Sequence, residues 1–187
     1  RVSVKAFAAA QEANPNPDLR HRVHHAYLPT PDTLERMAKH RIPALVSTPF
    51  IRSLGESYVL SLGEARTERM MPFRTYLNAG VPLAGSSDTP VADHNPWVGM
   101  ATALTRETVK GRVLGPSEVL TPEEALALYT TGAAFGMGRE DELGRLAPGY
   151  VADLVVLDRD PFAGEVDPDA LMQTQPSRVM VDGSWVV

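Results

Sequence analysis

The sequence lacks cysteine: none occurs among its 187 residues. This absence excludes disulfide bonds and thiolate metal ligands, so a metal ion would have to be held by His, Asp or Glu. The lack of disulfides fits a reducing compartment, and we expect a cytoplasmic protein. The sequence also has no apolar run near the roughly 20 residues that span a bilayer. We therefore expect no membrane contact.

Basic charge is also scarce. The formal net charge is -5, and no cluster of lysine and arginine occurs along the sequence. A nucleic-acid surface needs such a cluster, so we expect no nucleic-acid partner. The 43% hydrophobic and 22% charged content is typical of a globular protein with a packed core.

Helical and strand-like segments alternate through the first 137 residues. A proline after Thr or Asn is typical of a helix start, and Thr121-Pro122 is followed by Glu124, which completes a capping box. We expect an irregular loop from Phe50 to Met71, and we expect the helix after Thr121 to end at Gly132. The expected strands lie at 22–26, 43–48 and 81–88, and helices are expected at 1–12 and after Thr30-Pro31, Pro72, Asn95-Pro96 and Thr121-Pro122. This alternation predicts parallel α/β units.

The last part of the sequence changes character. Strand-like runs occur at 152–157 and 178–181, and Asp182-Gly183 separates two apolar runs. An Asp-Gly pair in this position is a strong signal for a β-hairpin. We therefore expect residues from about Glu142 onward to form β-structure.

Two residues at strand ends are candidates for chemistry. Asp88 follows the apolar run from Val81, and His25 ends the run from Arg22. In α/β barrels the chemistry lies at the C-terminal ends of the strands. Side-chain alternation would place His25 on the face of Val23, and Asp88 on the face of Ser86. The alternatives are a turn-forming role for Asp88 before Thr89-Pro90 and a buried structural role for His25.

Three tracts of the sequence resemble a known family: residues 20–26, residues 85–91 with Asn95-Pro96, and residues 143–158. Together they resemble the C-terminal half of metal-dependent hydrolases of the amidohydrolase superfamily, in the group that contains N-substituted formamide deformylases. The resemblance implies that residues 1–137 are the C-terminal part of a (β/α)8 barrel, with its sixth to eighth strands and their helices. It implies that residues 138–187 are the C-terminal strands of a small β-sandwich.

The resemblance also implies a metal site. His25 matches the metal ligand that ends the sixth strand. Asp88 matches the metal ligand and catalytic proton acceptor that ends the eighth strand. The implied cofactor is a divalent metal, with zinc favoured, as one or two ions.

Three further residues are candidates for substrate binding. His24 stands where the family commonly has Glu, and Thr48-Pro49 stands where it often has Gln-Pro. His94 lies in the loop beyond Asp88. Their alternatives are a structural role for His24, since adjacent strand residues face opposite ways, and a solvated loop position for His94. Arg106 is interpreted as a solvated charge or as a binder of an acidic substrate.

The candidate metal ligands are too few for a complete site. A catalytic zinc ion takes about three protein ligands, and the sequence offers His25 and Asp88. The family's other ligands, including a His-x-His pair, have no counterpart here. The first residues are typical of the middle of a helix, and we expect a piece of a longer protein that is inactive alone. We expect the missing N-terminal half, or a second chain, to cover the open barrel edge.

The implied function is hydrolysis of a non-peptide C–N bond in a small molecule: an amide, a formamide or a cyclic amide. The alternative is a non-catalytic regulatory or interaction protein that retains the amidohydrolase fold. A complete ligand set in the parent protein would favour the enzyme.

Overall fold

The computed structural model describes residues 1–16 and 18–187 and contains helices on either side of a parallel sheet. The strands of this sheet are β1 (Val23–His24), β2 (Ala44–Ser47) and β3 (Leu83–Ser86). The helices of the first 137 residues are α1 (Val2–Ala13), α2 (Pro31–Lys39), α3 (Pro49–Leu62), α4 (Glu64–Thr67), α5 (Phe73–Asn78), α6 (Pro96–Thr105), α7 (Pro122–Tyr129) and α8 (Thr131–Met137), with a 3-10 helix at Pro116–Glu118.

The three strands pair in the order β1-β2-β3, and both pairings are parallel. Val23 lies beside Ala44, and Ala44 lies beside Leu83. Because parallel strands share one direction, their carboxyl ends meet at one edge of the sheet. The expected α/β class with parallel units is confirmed, whereas the assignment of these strands to the C-terminal part of a (β/α)8 barrel stays a prediction.

Polar side chains cap three helix starts as their sequences predict. Thr30 accepts a hydrogen bond from the Thr33 amide before α2, and Asn95 accepts one from the Trp97 amide before α6. Thr121 begins α7 with a complete capping box, in which the Glu124 side chain accepts from the Thr121 amide. These caps satisfy amide groups that have no partner within a helix.

The expected loop from Phe50 to Met71 is wrong. Its greater part forms α3 and α4. Four apolar residues of α3 recur at helical spacing and pack in or against the core: Ile51, Leu54, Tyr58 and Leu62. Serines between these positions obscure the pattern in the sequence, but they lie on the outer face of a helix that begins with Pro49.

The expected helix end at Gly132 is also wrong. Helix α7 ends before Thr130, and Gly132 lies inside the next helix, α8. A Cβ atom at Gly132 would collide with the carbonyl oxygen of Leu83 in β3. Glycine is therefore required by the close packing of α8 on β3, and it does not act as a stop signal.

A second sheet lies in the last part of the chain. Strands β4 (Leu154–Val156), β5 (Arg178–Val181) and β6 (Ser184–Trp185) form an antiparallel sheet in the order β4-β5-β6. The predicted hairpin is confirmed: Asp182 and Gly183 join β5 to β6, with φ of 48° and 73°. A positive φ at both turn residues suits the twist of a two-residue hairpin.

The hydrophobic core is shared between the parallel sheet and the helices around it. Val46 of β2, Phe73 of α5 and Met100 of α6 are buried in it. Leu171 of α9 (Pro168–Met172) is buried in the same core, and the Asn95 side chain donates to the Met172 carbonyl. The expected boundary between 1–137 and 138–187 stays a prediction, because α9 packs back on the first part. The expected β-sandwich likewise stays a prediction.

No helix among the residues described here combines the length and the apolar character that crossing a membrane requires.

Candidate metal centre

His25 and Asp88 lie together at the carboxyl edge of the parallel sheet. The His25 Nε2 atom lies 3.5 Å from the Asp88 Oδ2 atom. Both side chains are accessible, with exposed fractions of 45% and 44%. The structure therefore brings together the two residues that the sequence analysis assigned to metal binding.

The pair straddles the end of the central strand. β1 and β3 each flank β2, and alternate strands of a sheet lie about 10 Å apart. The middle strand ends with the small, buried Ser47, and the buried Thr48 follows it. The longer side chains of His25 and Asp88 can meet above them.

The expected side-chain alternation does not account for this meeting. β1 ends at His24 and β3 ends at Ser86, so both site residues lie beyond the pleat. His25 has a φ of 53° and Asp88 a φ of 54°, in the left-handed region. Non-glycine residues in this region are uncommon, although His and Asp enter it more readily than most residues. The left-handed turns, and not the strand register, aim the two side chains at each other.

The turn after Asp88 is closed by its own hydrogen bonds. The Val91 amide donates to the Asp88 carbonyl, and the Thr89 hydroxyl donates to the Ala92 carbonyl. The Thr89–Pro90 peptide bond is cis. Asp88 is thus a turn residue as well as a site residue, and the two interpretations of the sequence are compatible.

Aromatic rings hold the His25 imidazole. The Phe50 ring stacks on it with centroids 5.9 Å apart, and the Tyr27 ring meets it edge-on at 5.6 Å. The Tyr27 hydroxyl lies 3.3 Å from His25 Nδ1, and the Ser47 hydroxyl lies 3.5 Å from it. Burial and then a hydrogen bond with Tyr58 raise the pKa of Tyr27 well above its ordinary value.

The segment after His25 is fixed by two backbone hydrogen bonds. The buried Tyr76 hydroxyl donates to the Ala26 carbonyl over 2.7 Å, and the Met71 amide donates to the Tyr27 carbonyl over 2.8 Å. Arg106 in turn donates to the carbonyl groups of Met70, Met71 and Leu114. A chain of contacts therefore runs from Arg106 through Met71 to Tyr27 beside the site.

Arg106 was expected to be a solvated or substrate-binding charge, and that expectation is wrong. The side chain is completely buried, and its guanidinium lies over the Phe73 ring. Burial lowers its pKa to about 10, so it remains protonated at neutral pH. Its hydrogen bonds join the backbone at Met70 and Met71 to the backbone at Leu114.

The three substrate-binding candidates lie in different surroundings. Thr48 is completely buried, and its hydroxyl lies 2.7 Å from the Tyr129 hydroxyl. Burial raises the pKa of Tyr129 to about 12. His24 is exposed at the end of β1, and His94 is 86% exposed beside Asp93. Substrate contact stays a prediction for all three, and the Thr48 hydroxyl is already satisfied within the protein.

The donor atoms of His25 and Asp88 fit a zinc ion in kind and in spacing. Imidazole nitrogen and carboxylate oxygen are ordinary zinc ligands, with bonds of about 2.0–2.2 Å. Two such ligands at a tetrahedral angle lie about 3.4 Å apart, and the observed separation is 3.5 Å. Within residues 1–16 and 18–187, no group of three or more His, Asp or Glu side chains could hold a metal ion. The pair alone offers fewer protein ligands than the roughly three of a catalytic zinc site, and its metal-binding role stays a prediction.

Sequence reasoning missed the residues that hold His25. Tyr27 lies two residues after His25 and Ser47 directly before Thr48, so position relative to the strand ends could have indicated both. The contribution of Phe50 was hidden by the expected loop. Arg106 has no local signal, because its partners lie 8 to 36 residues away along the chain.

Comparison with known proteins identifies the family of the chain. The sequence profile described as "Amidohydrolase family" matches residues 1–187. The chain belongs to the amidohydrolase family, as the three tracts predicted. It is 35% identical over 183 residues to the N-substituted formamide deformylase of Arthrobacter pascens, which covers 97% of this chain and 33% of that protein.

Other relatives extend the comparison. The chain is 32% identical over 170 residues to protein LONG AFTER FAR-RED 3 of Arabidopsis thaliana, covering 88% of this chain and 29% of the relative. A solved structure of an uncharacterized metal-dependent hydrolase from Pyrococcus horikoshii superposes with a TM-score of 0.71 at 27% identity, covering 86% of this chain and 32% of that one. The chain spans about a third of the length of the curated relatives it matches.

Proposed function

We propose that the protein is a metal-dependent hydrolase of non-peptide C–N bonds, with an amide, formamide or cyclic amide in a small molecule as substrate. The observation that carries this proposal is the approach of His25 Nε2 to Asp88 Oδ2, 3.5 Å apart at the carboxyl edge of the sheet. The name of the Arthrobacter relative supports the bond class.

A divalent metal ion, with zinc favoured, would lower the pKa of a bound water towards about 7. His25 would hold the ion through Nε2, because its other nitrogen faces Tyr27 and Ser47. Asp88 would hold the ion through its carboxylate.

Asp88 also handles the proton. Its carboxylate has two oxygens, so one can bind while the other accepts the proton of the attacking water. Asp88 then returns this proton to the leaving nitrogen, which could not depart as an amide anion. The half-exposed position of the side chain leaves room for both water and substrate.

The site is completed by ligands from outside these 187 residues. Two protein ligands are fewer than the three of a typical catalytic zinc site, and the chain spans about a third of its relatives. We propose that further polypeptide of the same protein, or a second chain, supplies the others. The 187-residue chain alone is then expected to bind zinc weakly and to hydrolyse nothing.

A hydrolysis panel on the zinc-loaded complete gene product tests the proposal. Formamides, linear amides and cyclic amides are the substrates, and Asp88→Asn is the variant. Losing a positioned proton acceptor is expected to lower kcat by at least about 100-fold. Asp93→Asn is the matched control in the same loop, because its amide oxygen can still cap the Asn95 amide.

The expected control result is wild-type turnover by Asp93→Asn. Full turnover by Asp88→Asn, or no turnover by the wild-type protein on any member of the panel, would contradict the proposal. The second of these results would favour a regulatory or interaction protein with the amidohydrolase fold.

A further inference from the structure

We propose that Tyr27 is a positioning residue that keeps the proton of the neutral His25 imidazole on Nδ1 and so leaves the Nε2 lone pair free for the metal. This inference rests on the proposed metal-binding role of His25. Tyr27 was not among the candidate site residues of the sequence analysis, and it is not one of the two proposed metal ligands.

The two nitrogens of His25 face different groups. Nε2 faces the Asp88 carboxylate at 3.5 Å, and Nδ1 faces the Tyr27 hydroxyl at 3.3 Å. A neutral imidazole has one donor nitrogen and one acceptor nitrogen. A metal ligand must present its unprotonated nitrogen, so a partner that accepts from Nδ1 selects the useful form. The Tyr27 hydroxyl can act as that acceptor, because it donates its own proton to the Tyr58 hydroxyl.

The Asp88 carboxylate alone would select the wrong form. A carboxylate can only accept a hydrogen bond, and it would favour a proton on Nε2. The 3.5 Å separation is longer than an ordinary N–H···O hydrogen bond and longer than the 3.3 Å between Nδ1 and the Tyr27 hydroxyl, which weakens this pull. A hydroxyl on the opposite side of the ring can then decide the tautomer.

Tyr27 is held beside His25 by its backbone and by a neighbouring ring. Its carbonyl accepts from the Met71 amide, and the preceding carbonyl of Ala26 accepts from Tyr76. The Tyr27 ring also meets the Tyr58 ring edge-on, with centroids 6.1 Å apart. Ser47 lies farther from Nδ1, at 3.5 Å.

The His25 ring has little freedom to escape this arrangement. Phe50 covers one face, and the left-handed backbone of His25 sets the direction of its side chain. Rotating the ring by half a turn would exchange the two nitrogens, but the stacked and edge-on contacts restrict that rotation. The hydroxyl of Tyr27 therefore acts on a ring that two aromatic neighbours orient.

The test uses protein labelled with ¹⁵N-histidine and compares Tyr27→Phe with Tyr150→Phe. Both variants remove one hydroxyl and keep the ring; the Tyr27 hydroxyl contacts Nδ1, whereas the Tyr150 hydroxyl donates to the Glu140 carbonyl. Nitrogen chemical shifts report the tautomer of His25 directly. We expect the Nδ1-protonated form to predominate in the wild type and in Tyr150→Phe, and to fall in Tyr27→Phe.

Metal affinity is the second readout. Calorimetry measures cobalt binding to the complete gene product. We expect the affinity to fall by about 10- to 100-fold in Tyr27→Phe, the usual loss when the hydrogen-bond partner of a metal ligand is removed. Tyr150→Phe should stay within about twofold of the wild type, because its hydroxyl contacts the Glu140 carbonyl and not His25. A Tyr27→Phe protein with unchanged tautomer and unchanged affinity would overturn the inference.

Ser47→Ala separates the two hydroxyl groups near Nδ1. A tautomer shift in Ser47→Ala that exceeds the shift in Tyr27→Phe would assign the role to Ser47 and overturn the inference. Failure of the proposed function is distinguishable from these outcomes. A wild-type protein that binds no metal would contradict that function, while the tautomer comparison would still test Tyr27.

Discussion

The two sheets of this molecule differ in how their side chains are covered. In β2 and β3 of the parallel sheet most side chains are buried, and helices cover them. In β4, β5 and β6 most side chains are exposed or half-buried, including Val155, Val181 and Trp185. The same α/β part that holds the His25–Asp88 pair therefore also has the packed core. A site that needs fixed distances lies where the surroundings are rigid.

Substituting two arginines, one in each region, is expected to give the largest difference in stability loss. Each arginine lies over an aromatic ring. Arg106 is buried over Phe73 and donates to three carbonyl groups, whereas Arg178 covers the half-exposed Trp185. Arg106→Met leaves buried carbonyl groups without a donor, and we expect a loss of at least about 3 kcal/mol in the free energy of unfolding. Arg178→Met should lose about 1 kcal/mol or less.

Urea denaturation curves, recorded through the helical circular dichroism signal, give the free energy of unfolding of both variants. Nearly equal losses would show that the buried hydrogen bonds of Arg106 add nothing to the stability. The proposed difference between a packed α/β part and an exposed antiparallel sheet would then be wrong.

Two valines sharpen the same comparison at smaller scale. Val46 in β2 is 0% exposed, and Val181 in β5 is 50% exposed. Val46→Ala should cost about 2 kcal/mol, because it removes buried methyl groups and leaves a cavity. Val181→Ala should change the stability by about 0.5 kcal/mol at most. Thermal unfolding of the two variants checks this, and a larger loss for Val181→Ala would indicate that the antiparallel sheet carries more of the packing than its exposure suggests.

The smallest effect concerns acid stability in the α/β part. A hydrogen bond from Arg74 lowers the pKa of Glu124 below its ordinary value of 4.5. A lowered folded-state pKa stabilises the fold above the ordinary pKa, and this stabilisation disappears as the pH falls through the folded-state value. Glu124→Gln should therefore reduce the stability at pH 7 slightly and flatten its decline below about pH 4.5.

Glu123→Gln, in the same helical turn, is the control for this effect. Its stability curve between pH 3 and pH 7 should keep the wild-type shape. If Glu124→Gln also keeps that shape, the Arg74–Glu124 pair does not contribute to acid sensitivity.

The residues that could be predicted from the sequence are those with local signals. Thr121 with Glu124 identified a helix start, Asp182-Gly183 identified a hairpin, and the runs ending near His25 and Asp88 identified two strand ends. The α3 helix was missed because serines and a glycine interrupt its apolar spacing. The left-handed turns at His25 and Asp88 were missed because short strands give no sign of where the pleat stops.

Long-range partners lay beyond sequence reasoning for a different reason. Arginine side chains are exposed in most proteins. The burial of Arg106 is explained by its contacts with the carbonyl groups of Met70, Met71 and Leu114. Tyr27 and Phe50 likewise gain their roles from the fold, which places them on two sides of the His25 ring.

The most direct test of the metal centre is anomalous X-ray scattering at the zinc absorption edge, from crystals of the complete gene product grown with zinc. A metal centre at this edge of the sheet predicts a zinc peak about 2.0–2.2 Å from His25 Nε2 and from a carboxylate oxygen of Asp88. A zinc peak elsewhere, with His25 and Asp88 left without metal, would contradict it.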